Sequence, residues 1–536
     1  MTDGSQATGR DRGLLVTADR VHTLAAVQDC APNALLIRHG RIADLGDTAA
    51  LRSRYPGCDT LDLTGCTLTP GLTDAHIHLT EWAFARRQVD LSPSSSPAAA
   101  AQLVAGHAAG STGWVQGRGW NVHRWDGARP HRSYLDAVVS DRPVVLQSHD
   151  MHALWVNTAA LRVAGIDAGT SDPDGGRIER DADGEPTGVL LESAGRAVAA
   201  HLPSPDAKAA ADSLLDAQTA LHGMGITGVH SYPGVHVQDP EPLAVLLAIR
   251  EQGRLRIRVL QHIRIERLDD AIGLGLRSGF GDDWLRVGAV KMFLDGALGS
   301  RTAWMRQPYQ DGSGCGISTL EPALFRQHVH RAAAAGIAAT VHAIGDAAVC
   351  LALDVLSDPS LPGLAIPHRI EHLQCCPAER LADAAAAGIV CSMQPCHLMT
   401  DWQAADTHWG AHRCRGAFAL GSLLRHGTIL AFGSDAPVEP VDPRRSLVAA
   451  VLRQDSERRP AGGWFPEERI DMKAALHGFT TGPAAAAGLQ APHGTLAPGA
   501  PADIAAWDRD PCADPETVAS MECMATIAGG IVVHTA

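Results

Sequence analysis

Two histidines, His76 and His78, stand two residues apart at the end of an apolar run in the segment TDAHIHL. Because side chains alternate between the two faces of a β-strand, residues two apart point the same way. Two imidazoles on one face form half of a site for a transition metal ion. The pair alone is a weak indication, since it is equally compatible with two unrelated histidines among the 26 in the chain.

A lysine ends another apolar run, in VGAVKMFLDGALGSRTA, and lysine is rare in this sequence. Of 45 basic residues only Lys208, Lys291 and Lys473 are lysines. A lysine at a strand end more commonly reaches solvent, because burying an ammonium without a partner is costly. A desolvated lysine, however, loses its proton and can act as a nucleophile or accept carbon dioxide, which arginine cannot do. Carboxylated, Lys291 would become an anionic ligand able to bridge two metal ions.

Three further candidate ligands end later apolar runs. His342 lies in AATVHAIGD, His372 in HRIEHLQ and Asp435 in LAFGSDAP. Taken singly, each histidine is more commonly a packed core or surface residue, and Asp435 is suited to cap a following helix. Their significance depends on the elements that position them.

The middle of the chain alternates strand-like and helix-like segments. The strand-like runs are LTPGLTDAH, GITGVHSY, RIRVLQHI, VGAVKMF, AATVHAI, HRIEHL, VCSMQP and LAFGSDA. Helix-like stretches such as EPLAVLLAIREQ separate most of them, which is typical of an α/β fold with a parallel (β/α)8 barrel of the TIM type. The candidate ligands end the first, fourth, fifth, sixth and eighth runs. In a barrel those ends all lie at the C-terminal face, so the sequence predicts a metal site there.

Both ends of the chain are rich in short strand-like segments, such as ALLIRHGRIADLG and ECMATIAGGIVVHT. We predict a small β-sandwich domain built from residues 14–70 and 491–536, around a barrel at 71–490. The first two barrel runs are separated by about residues 80–220, which contain Pro, Ser and Gly clusters and a strand-like RPVVLQSH. This long insertion after barrel strand 1 predicts a separate lobe over the barrel mouth.

The composition limits the classes of function. The chain is 45% hydrophobic and 19% charged, as in ordinary globular proteins, and its net charge of -14 disfavours nucleic acid or an anionic membrane as partner. No apolar run approaches the ~20 residues that span a bilayer. The start MTDGSQATGRDRG lacks the apolar stretch of a secretory signal, and the twelve cysteines form no C-x-x-C pair. We therefore predict a cytoplasmic protein with reduced thiols and a small-molecule substrate.

The segments TDAHIH, KMFLDGALGSRTA, TVHAIGD, HRIEHLQ and FGSDAPVEP together resemble the amidohydrolase superfamily. Within it, GRGWNVHRW, HDMHALWVNTAAL and GEPTGVLLE are similar to amidohydrolase family 3, the branch with N-substituted formamide deformylase-like enzymes. The terminal segments RIADLG and GTLAPGAPADIAAWD resemble the β-sandwich of such enzymes. The resemblance extends from about residue 14 to residue 536.

The resemblance implies a hydrolase that depends on one or two divalent metal ions, with zinc as the expected ion. The two histidines of TDAHIHL would bind one ion together with Asp435, and His342 and His372 would bind a second. A carboxylated Lys291 would bridge the two ions. Asp435 would also take the proton of the attacking water and deliver it to the leaving nitrogen, a role that metal-assisted hydrolysis requires of a nearby carboxylate.

Further residues are predicted to contact the substrate: Asp295, Arg301, His397, His152 and Trp120. Arg301 follows Lys291 on a loop, where a surface arginine on a turn is an equally good interpretation. His397 lies in QPCHLMTDW, which resembles a Q-P-x-H region of the family, and His152 belongs to the inserted lobe.

The predicted reaction is hydrolysis of a non-peptide carbon–nitrogen bond, in an N-acyl or N-formyl amine or a related amide. Cyclic amide hydrolysis, deamination and lactone hydrolysis are alternatives on the same site. Deaminases of the superfamily usually carry a glutamate after the fifth strand, whereas His342 is followed by Ala-Ile-Gly-Asp, which disfavours deamination. A non-catalytic scaffold is disfavoured because every expected ligand position is filled. Dimers are common in such families, so a homodimer is compatible with the sequence.

Overall fold

The computed structural model describes residues 12–25, 31–110, 113–122, 125, 127–148, 153–173, 176–203, 206–233 and 241–536. The described residues divide into two compact units, one within residues 12–80, 214–233 and 241–536 and the other within residues 81–213. The second unit is therefore an insertion between the first and second strands of the barrel described below.

The described residues form 21 strands and 18 α-helices. The strands are β1 (Leu14–Val21), β2 (Ala34–Arg38), β3 (Arg41–Gly46), β4 (Asp59–Pro70), β5 (Leu72–Ile77), β6 (Val89–Asp90), β7 (Val115–Trp120), β8 (Val144–Ser148), β9 (Ala153–Val156), β10 (Gly176–Arg180), β11 (Pro186–Glu192), β12 (Ile226–Ser231), β13 (Arg258–Arg264), β14 (Leu285–Phe293), β15 (Ala339–Ala343), β16 (Arg369–His372), β17 (Val390–Met393), β18 (Leu430–Phe432), β19 (Ile504–Trp507), β20 (Cys523–Ala528) and β21 (Ile531–Thr535).

The helices are α1 (Thr48–Arg54), α2 (Leu79–Ala85), α3 (Pro97–Ala108), α4 (Arg132–Asp136), α5 (Thr158–Val163), α6 (Arg196–Ala199), α7 (Ala207–His222), α8 (Pro242–Glu251), α9 (Leu268–Gly273), α10 (Pro322–Ala334), α11 (Asp346–Leu356), α12 (Asp383–Ala386), α13 (Pro395–His408), α14 (Gly410–Cys414), α15 (Leu420–Arg425), α16 (Pro443–Leu452), α17 (Met472–Gly478) and α18 (Thr481–Ala486). Five of them, α3, α8, α10, α13 and α16, begin with proline in the first turn. Proline suits this position because its fixed φ matches the helix and its missing N–H has no helical acceptor there.

Eight parallel strands form the barrel, in the order β18-β17-β16-β15-β14-β13-β12-β5. A parallel bridge between Ile77 and Ala436 brings the first strand next to the end of the last, which nearly closes the barrel. Each of the eight apolar runs predicted as barrel strands overlaps one of these strands. The predicted α/β fold, with a TIM-type barrel and an insertion after its first strand, is confirmed.

Seven strands from both ends of the chain form one sheet, in the order β21-β20-β19-β4-β1-β2-β3. Apolar side chains from both termini form its core, including Val16, Leu35 and Ile527. Burying each such side chain contributes about 1.5–3 kcal/mol. The predicted boundaries, 14–70 and 491–536, enclose all seven strands.

Close contacts hold this terminal sheet against the barrel. Trp507 of β19 is buried and is held within the sheet, because its Nε1 donates to Oγ1 of Thr69 in the neighbouring strand β4. Gly225 precedes the second barrel strand with a φ of +73°, and a Cβ there would lie 2.8 Å from the Trp507 ring. Both the left-handed backbone and the close approach require glycine. Arg258 of β13 adds a two-pronged contact to Asp503, at 2.6 and 3.1 Å.

The second unit has its own mixed sheet, in the order β10-β11-β9-β8-β7-β6. Its core includes a cluster of three tryptophans, Trp120, Trp125 and Trp155, whose ring centroids lie 5.8–6.3 Å apart. Within the described parts of both units, no helix is long and apolar enough to cross a membrane.

Candidate functional site

The six residues predicted as metal ligands all lie at the C-terminal ends of barrel strands. They are His76 at the end of β5 and His78 directly after it, Lys291 in β14, His342 in β15, His372 in β16 and Asp435 shortly after β18. Five of them are at most 8% exposed, and the His342 side chain is 13% exposed. The structure therefore gathers these residues at one end of the barrel.

Asp435 lies beside both histidines of the first barrel strand. Its Oδ1 lies 3.3 Å from Nε2 of His76 and 3.4 Å from Nε2 of His78. Donor atoms that sit about 2.0–2.2 Å from a tetrahedral zinc ion are about 3.3–3.6 Å from one another. The Nε2 atom of His76 is buried and makes no hydrogen bond among the described residues. Two imidazoles and one carboxylate at this spacing fit one divalent ion.

Asp435 and His372 both have left-handed backbone conformations, with φ values of 60° and 71°. This region is uncommon for residues other than glycine, and such strain persists where surrounding structure enforces it. The backbone N–H of Asp435 donates to the carbonyl of His76 at 2.7 Å, which fixes the turn. The left-handed backbone of His372 interrupts the alternation of side chains in β16. The ring centroid of His372 lies 5.0 Å from that of His76 and 4.5 Å from that of His342.

Hydrogen bonds fix the tautomers of the two later histidines. Nδ1 of His372 lies 2.8 Å from Oε1 of Gln394, and Nε2 of His342 lies 2.9 Å from the carbonyl oxygen of Gly296. Both partner atoms accept hydrogen bonds, so each of these nitrogens carries the proton. The other ring nitrogen of each histidine keeps the lone pair that a metal ligand needs. His342 would thus coordinate through Nδ1 and His372 through Nε2.

Lys291 is buried between two aromatic rings. Its Nζ lies 4.7 Å from the ring centroid of Tyr232 and 4.6 Å from that of Phe293. Burial lowers the pKa of Lys291 to about 8, although the carboxylates of Glu371 and Asp435 oppose the shift. The amine is therefore much closer to its neutral, nucleophilic form at neutral pH than an exposed lysine is.

A buried polar network inside the barrel supports His76. Glu371 accepts from Nδ1 of His76 at 2.7 Å, from Thr340 Oγ1 at 2.5 Å and from Arg369 Nε at 2.9 Å. Arg369 also contacts His230 Nδ1 at 2.7 Å. Burial opposes ionisation of Glu371, but the Arg369 guanidinium and the His76 hydrogen bond hold its pKa well below the usual range. A role for Glu371 in the site was not predicted from the sequence. A glutamate inside the apolar strand HRIEHL could have indicated a buried carboxylate with a specific partner.

Asp74 joins the first and last barrel strands beside the cluster. Its Oδ1 accepts from the backbone N–H of His76 at 3.0 Å and of Ser434 at 3.1 Å, and its Oδ2 accepts from Ser434 Oγ at 2.6 Å. A Cβ on the intervening Gly433 would lie 2.3 Å from the backbone nitrogen of His76. Glycine at position 433 therefore allows the two strand ends to approach.

Two of the predicted substrate contacts make other interactions in the structure. Asp295 is buried and accepts from the backbone N–H groups of Trp304, Ile344 and Gly345 at 2.7–3.3 Å, so it fastens one loop after β14 to another after β15. The Arg301 side chain is 46% exposed and lies 2.6 Å from Asp311. Both remain predictions as substrate contacts.

The other three predicted contacts lie in different places. His397 joins the cluster, with Nε2 3.6 Å from Oδ2 of Asp435. Trp120 is buried in the core of the second unit and donates from Nε1 to the carbonyl of Leu146 at 2.9 Å. His152 lies outside the described residues.

Known proteins match nearly the whole chain. The sequence model of the amidohydrolase family matches residues 59–534, and a bacterial imidazolonepropionase-like composite domain matches only residues 34–57. The chain is 31% identical over 509 residues to YtcJ of Bacillus subtilis (strain 168), covering 94% of this chain and 96% of that protein. It is 29% identical over 553 residues to N-substituted formamide deformylase of Arthrobacter pascens, covering 97% and 98%.

Among solved structures, an uncharacterized metal-dependent hydrolase from Pyrococcus horikoshii OT3 superposes with a TM-score of 0.79 at 26% identity. The match covers 94% of this chain and 99% of that one. The family match, the full-length relatives and the barrel with its histidine cluster agree with one another. The chain belongs to amidohydrolase family 3 of the amidohydrolase superfamily.

Proposed function

We propose that this protein is a metal-dependent hydrolase that cleaves a non-peptide amide bond, with N-acyl and N-formyl amines as the substrate class. The observation that carries the proposal is the cluster of His76, His78 and Asp435, whose ligand atoms lie within 4.8 Å of one another. The Arthrobacter pascens relative, named as an N-substituted formamide deformylase, supports the choice of amide.

The first metal ion, zinc in this proposal, would be held by His76, His78 and Asp435. A second would be held by His342 and His372, whose hydrogen bonds to Gly296 and Gln394 leave one lone pair on each ring. When bound, the metal would polarise the scissile carbonyl and make the attacking water more acidic.

Lys291, carboxylated on Nζ, would supply the ligand between the two positions. Carbon dioxide adds to the neutral amine, forming an N–C bond and releasing one proton. The burial of Lys291 supports this role, since burial lowers the pKa of the amine to about 8 and so favours its neutral form. The rarity of lysine in the chain also supports a specific task for this one.

Asp435 would move the proton that the reaction requires. One carboxylate oxygen accepts a proton from the attacking water as the water oxygen bonds to the carbonyl carbon. The same carboxylate then gives the proton to the amide nitrogen while the carbon–nitrogen bond breaks, which leaves a carboxylic acid and an amine. Burial opposes ionisation of Asp435, but the surrounding histidines, His76 first, hold its pKa well below its usual range, so it begins as the base.

The proposal is tested by a substrate panel on the full-length protein whose metal content has been measured. The panel comprises N-formyl amines, N-acyl amines, cyclic amides and lactones. We expect turnover of the first two classes, its loss after chelation and its recovery with zinc. Turnover of only lactones or cyclic amides would replace the proposed substrate class. A protein that binds no metal even after supplementation would overturn the hydrolase proposal itself.

A further inference from the structure

His397 brings a buried ring nitrogen to the barrel mouth that the proposed reaction does not use. The residue lies in the first turn of α13, directly after β17. Its side chain is 9% exposed, and its ring lies parallel to that of His372, at an interplanar angle of 13° and a centroid distance of 6.0 Å. Its Nε2 lies 3.6 Å from Oδ2 of Asp435, whereas Oδ1 is the oxygen nearest to His76 and His78.

The other nitrogen of this ring is held by a glutamine. Nε2 of Gln374 lies 3.2 Å from Nδ1 of His397. An amide nitrogen can only donate a hydrogen bond, so the ring nitrogen that it faces must be the one without a proton. Nδ1 of His397 is therefore the acceptor, and the ring proton is on Nε2.

This Nε2–H group makes no hydrogen bond among the described residues. Asp435 lies beyond ordinary hydrogen-bond distance, and the group is shielded from solvent. An N–H that is buried without a partner is costly, and such groups in native proteins are normally satisfied by a ligand or by ordered water. An acceptor atom that enters the site can satisfy it.

We infer that His397 donates a hydrogen bond from Nε2 to the acyl oxygen of the bound substrate. This inference rests on the proposed function, because it takes the substrate to be an amide. The nitrogen lone pair of an amide is delocalised into the carbonyl, so the oxygen is the acceptor that the substrate offers. As the tetrahedral species forms, charge develops on this oxygen and the hydrogen bond strengthens.

The main competing role for His397 is metal ligation. Three ligand atoms lie within 4.8 Å of one another here, one each from His372, His397 and Asp435. The His397 ring could therefore complete a cation site if its Nε2 carried no proton. The hydrogen bond from Gln374 argues against that tautomer. The two roles differ in a direct observable, the metal content of a variant that lacks the ring.

The test compares His397→Phe and His397→Gln in the full-length, zinc-loaded protein, with His412→Gln as control. Gln retains an N–H donor near the position of Nε2, whereas Phe removes it, and His412 is an exposed histidine of α14. We expect unchanged metal content in all variants. We expect kcat to fall about 100-fold in His397→Phe and to be largely restored in His397→Gln, with little change in KM.

Acetate binding, measured by calorimetry, provides a second measurement that does not depend on turnover. The acetate oxygen stands in for the acyl oxygen, and we expect binding to weaken about tenfold or more in His397→Phe but not in His397→Gln. If the wild type hydrolyses no amide while acetate binding still depends on His397, only the proposed function fails. A loss of metal in His397→Phe, a change confined to the acid limb of the pH profile, or unaltered kcat and acetate binding would each overturn the inference.

Discussion

Oε2 of Glu371 lies 2.7 Å from Nδ1 of His76, and both side chains are buried. Because the carboxylate is the acceptor, the proton of His76 is on Nδ1 and the lone pair is on Nε2, the atom that faces Asp435. Arg369 holds the same carboxylate through Nε at 2.9 Å and Nη2 at 3.3 Å. The ring of His76 is thus oriented from inside the barrel, and no external ligand is needed to set its tautomer.

We predict that Glu371→Gln weakens zinc binding by about 10–100-fold, because partners that orient a metal-ligating histidine typically contribute this much. Glutamine replaces one of the two acceptor oxygens by an NH2 donor, so it cannot accept from His76 and from Thr340 and Arg369 at once. It also leaves the buried Arg369 without its charged partner. Competition with a chelator of known affinity measures the change, on protein kept well below its unfolding temperature. Glu468→Gln is the matched control, since Glu468 is a buried glutamate bonded to Ser422. Equal zinc affinity in wild type and Glu371→Gln would contradict this role.

We predict that Asp435→Asn lowers kcat by about 10²–10⁴-fold, the range expected when a general acid–base group is removed. Asparagine tolerates the left-handed backbone of this position better than alanine, so the fold should be retained. Steady-state kinetics on the zinc-supplemented variant measure the effect, and circular dichroism verifies the fold. Asp354→Asn, which changes an exposed partner of Arg380, should leave kcat unaltered. A well-folded, metal-bound Asp435→Asn enzyme with wild-type kcat would exclude Asp435 as the proton carrier.

We predict that Lys291→Ala reduces the metal bound per chain, because it removes the proposed bridging ligand. Lys208→Ala is the control, since Lys208 is exposed and pairs with Asp212. Metal analysis of the freshly purified proteins measures the stoichiometry, and intact mass under native conditions detects the carboxyl group on the wild type. Binding of a single ion that is indifferent to Lys291 would instead indicate a mononuclear site with an unmodified lysine.

His222 makes a prediction about stability that is independent of the metal site. It is buried between barrel and terminal sheet, where its Nε2 donates to the carbonyl of Arg256 and burial lowers its pKa to about 4. Since the unfolded state protonates near pH 6.5 and the folded state does not, stability is retained above that pH and falls as the pH drops toward 4. From pH 7 to pH 5 this one residue should cost about 2 kcal/mol.

His222→Gln retains a side-chain donor but does not titrate, so its stability should decrease less than that of wild type over the same interval. Chemical unfolding at pH 7, 6 and 5 measures the difference, with His412→Gln as an exposed control. Parallel pH profiles for wild type and His222→Gln would show that His222 is protonated equally well in both states.

The strand pattern of the barrel and the residues that end its strands could be predicted from the sequence. All eight apolar runs overlap barrel strands, because strands buried on both faces must be apolar nearly throughout. The parallel arrangement then brings His76, His342 and Asp435 to the same face without any knowledge of side-chain contacts.

Other features depend on relations between strands that the sequence does not display. Glu371 meets His76 across 295 positions of the chain, and this contact requires the register of β5 and β16 within the closed barrel. His372 faces the cluster because a left-handed residue interrupts the alternation of its strand. The tautomer of His397 likewise depends on Gln374, which lies after a different strand.

The terminal sheet can form completely only after the last part of the chain has been synthesised on the ribosome. Trp507 bonds to Thr69, a residue made 438 positions earlier. At ordinary rates of translation, β4 is made about 20–90 s before its antiparallel neighbour β19. During that interval one edge of β4 is without its partner, and open strand edges pair readily with other chains. A stalled or truncated nascent chain that lacks the last three strands would therefore carry a nearly complete barrel together with a permanently open, aggregation-prone sheet edge.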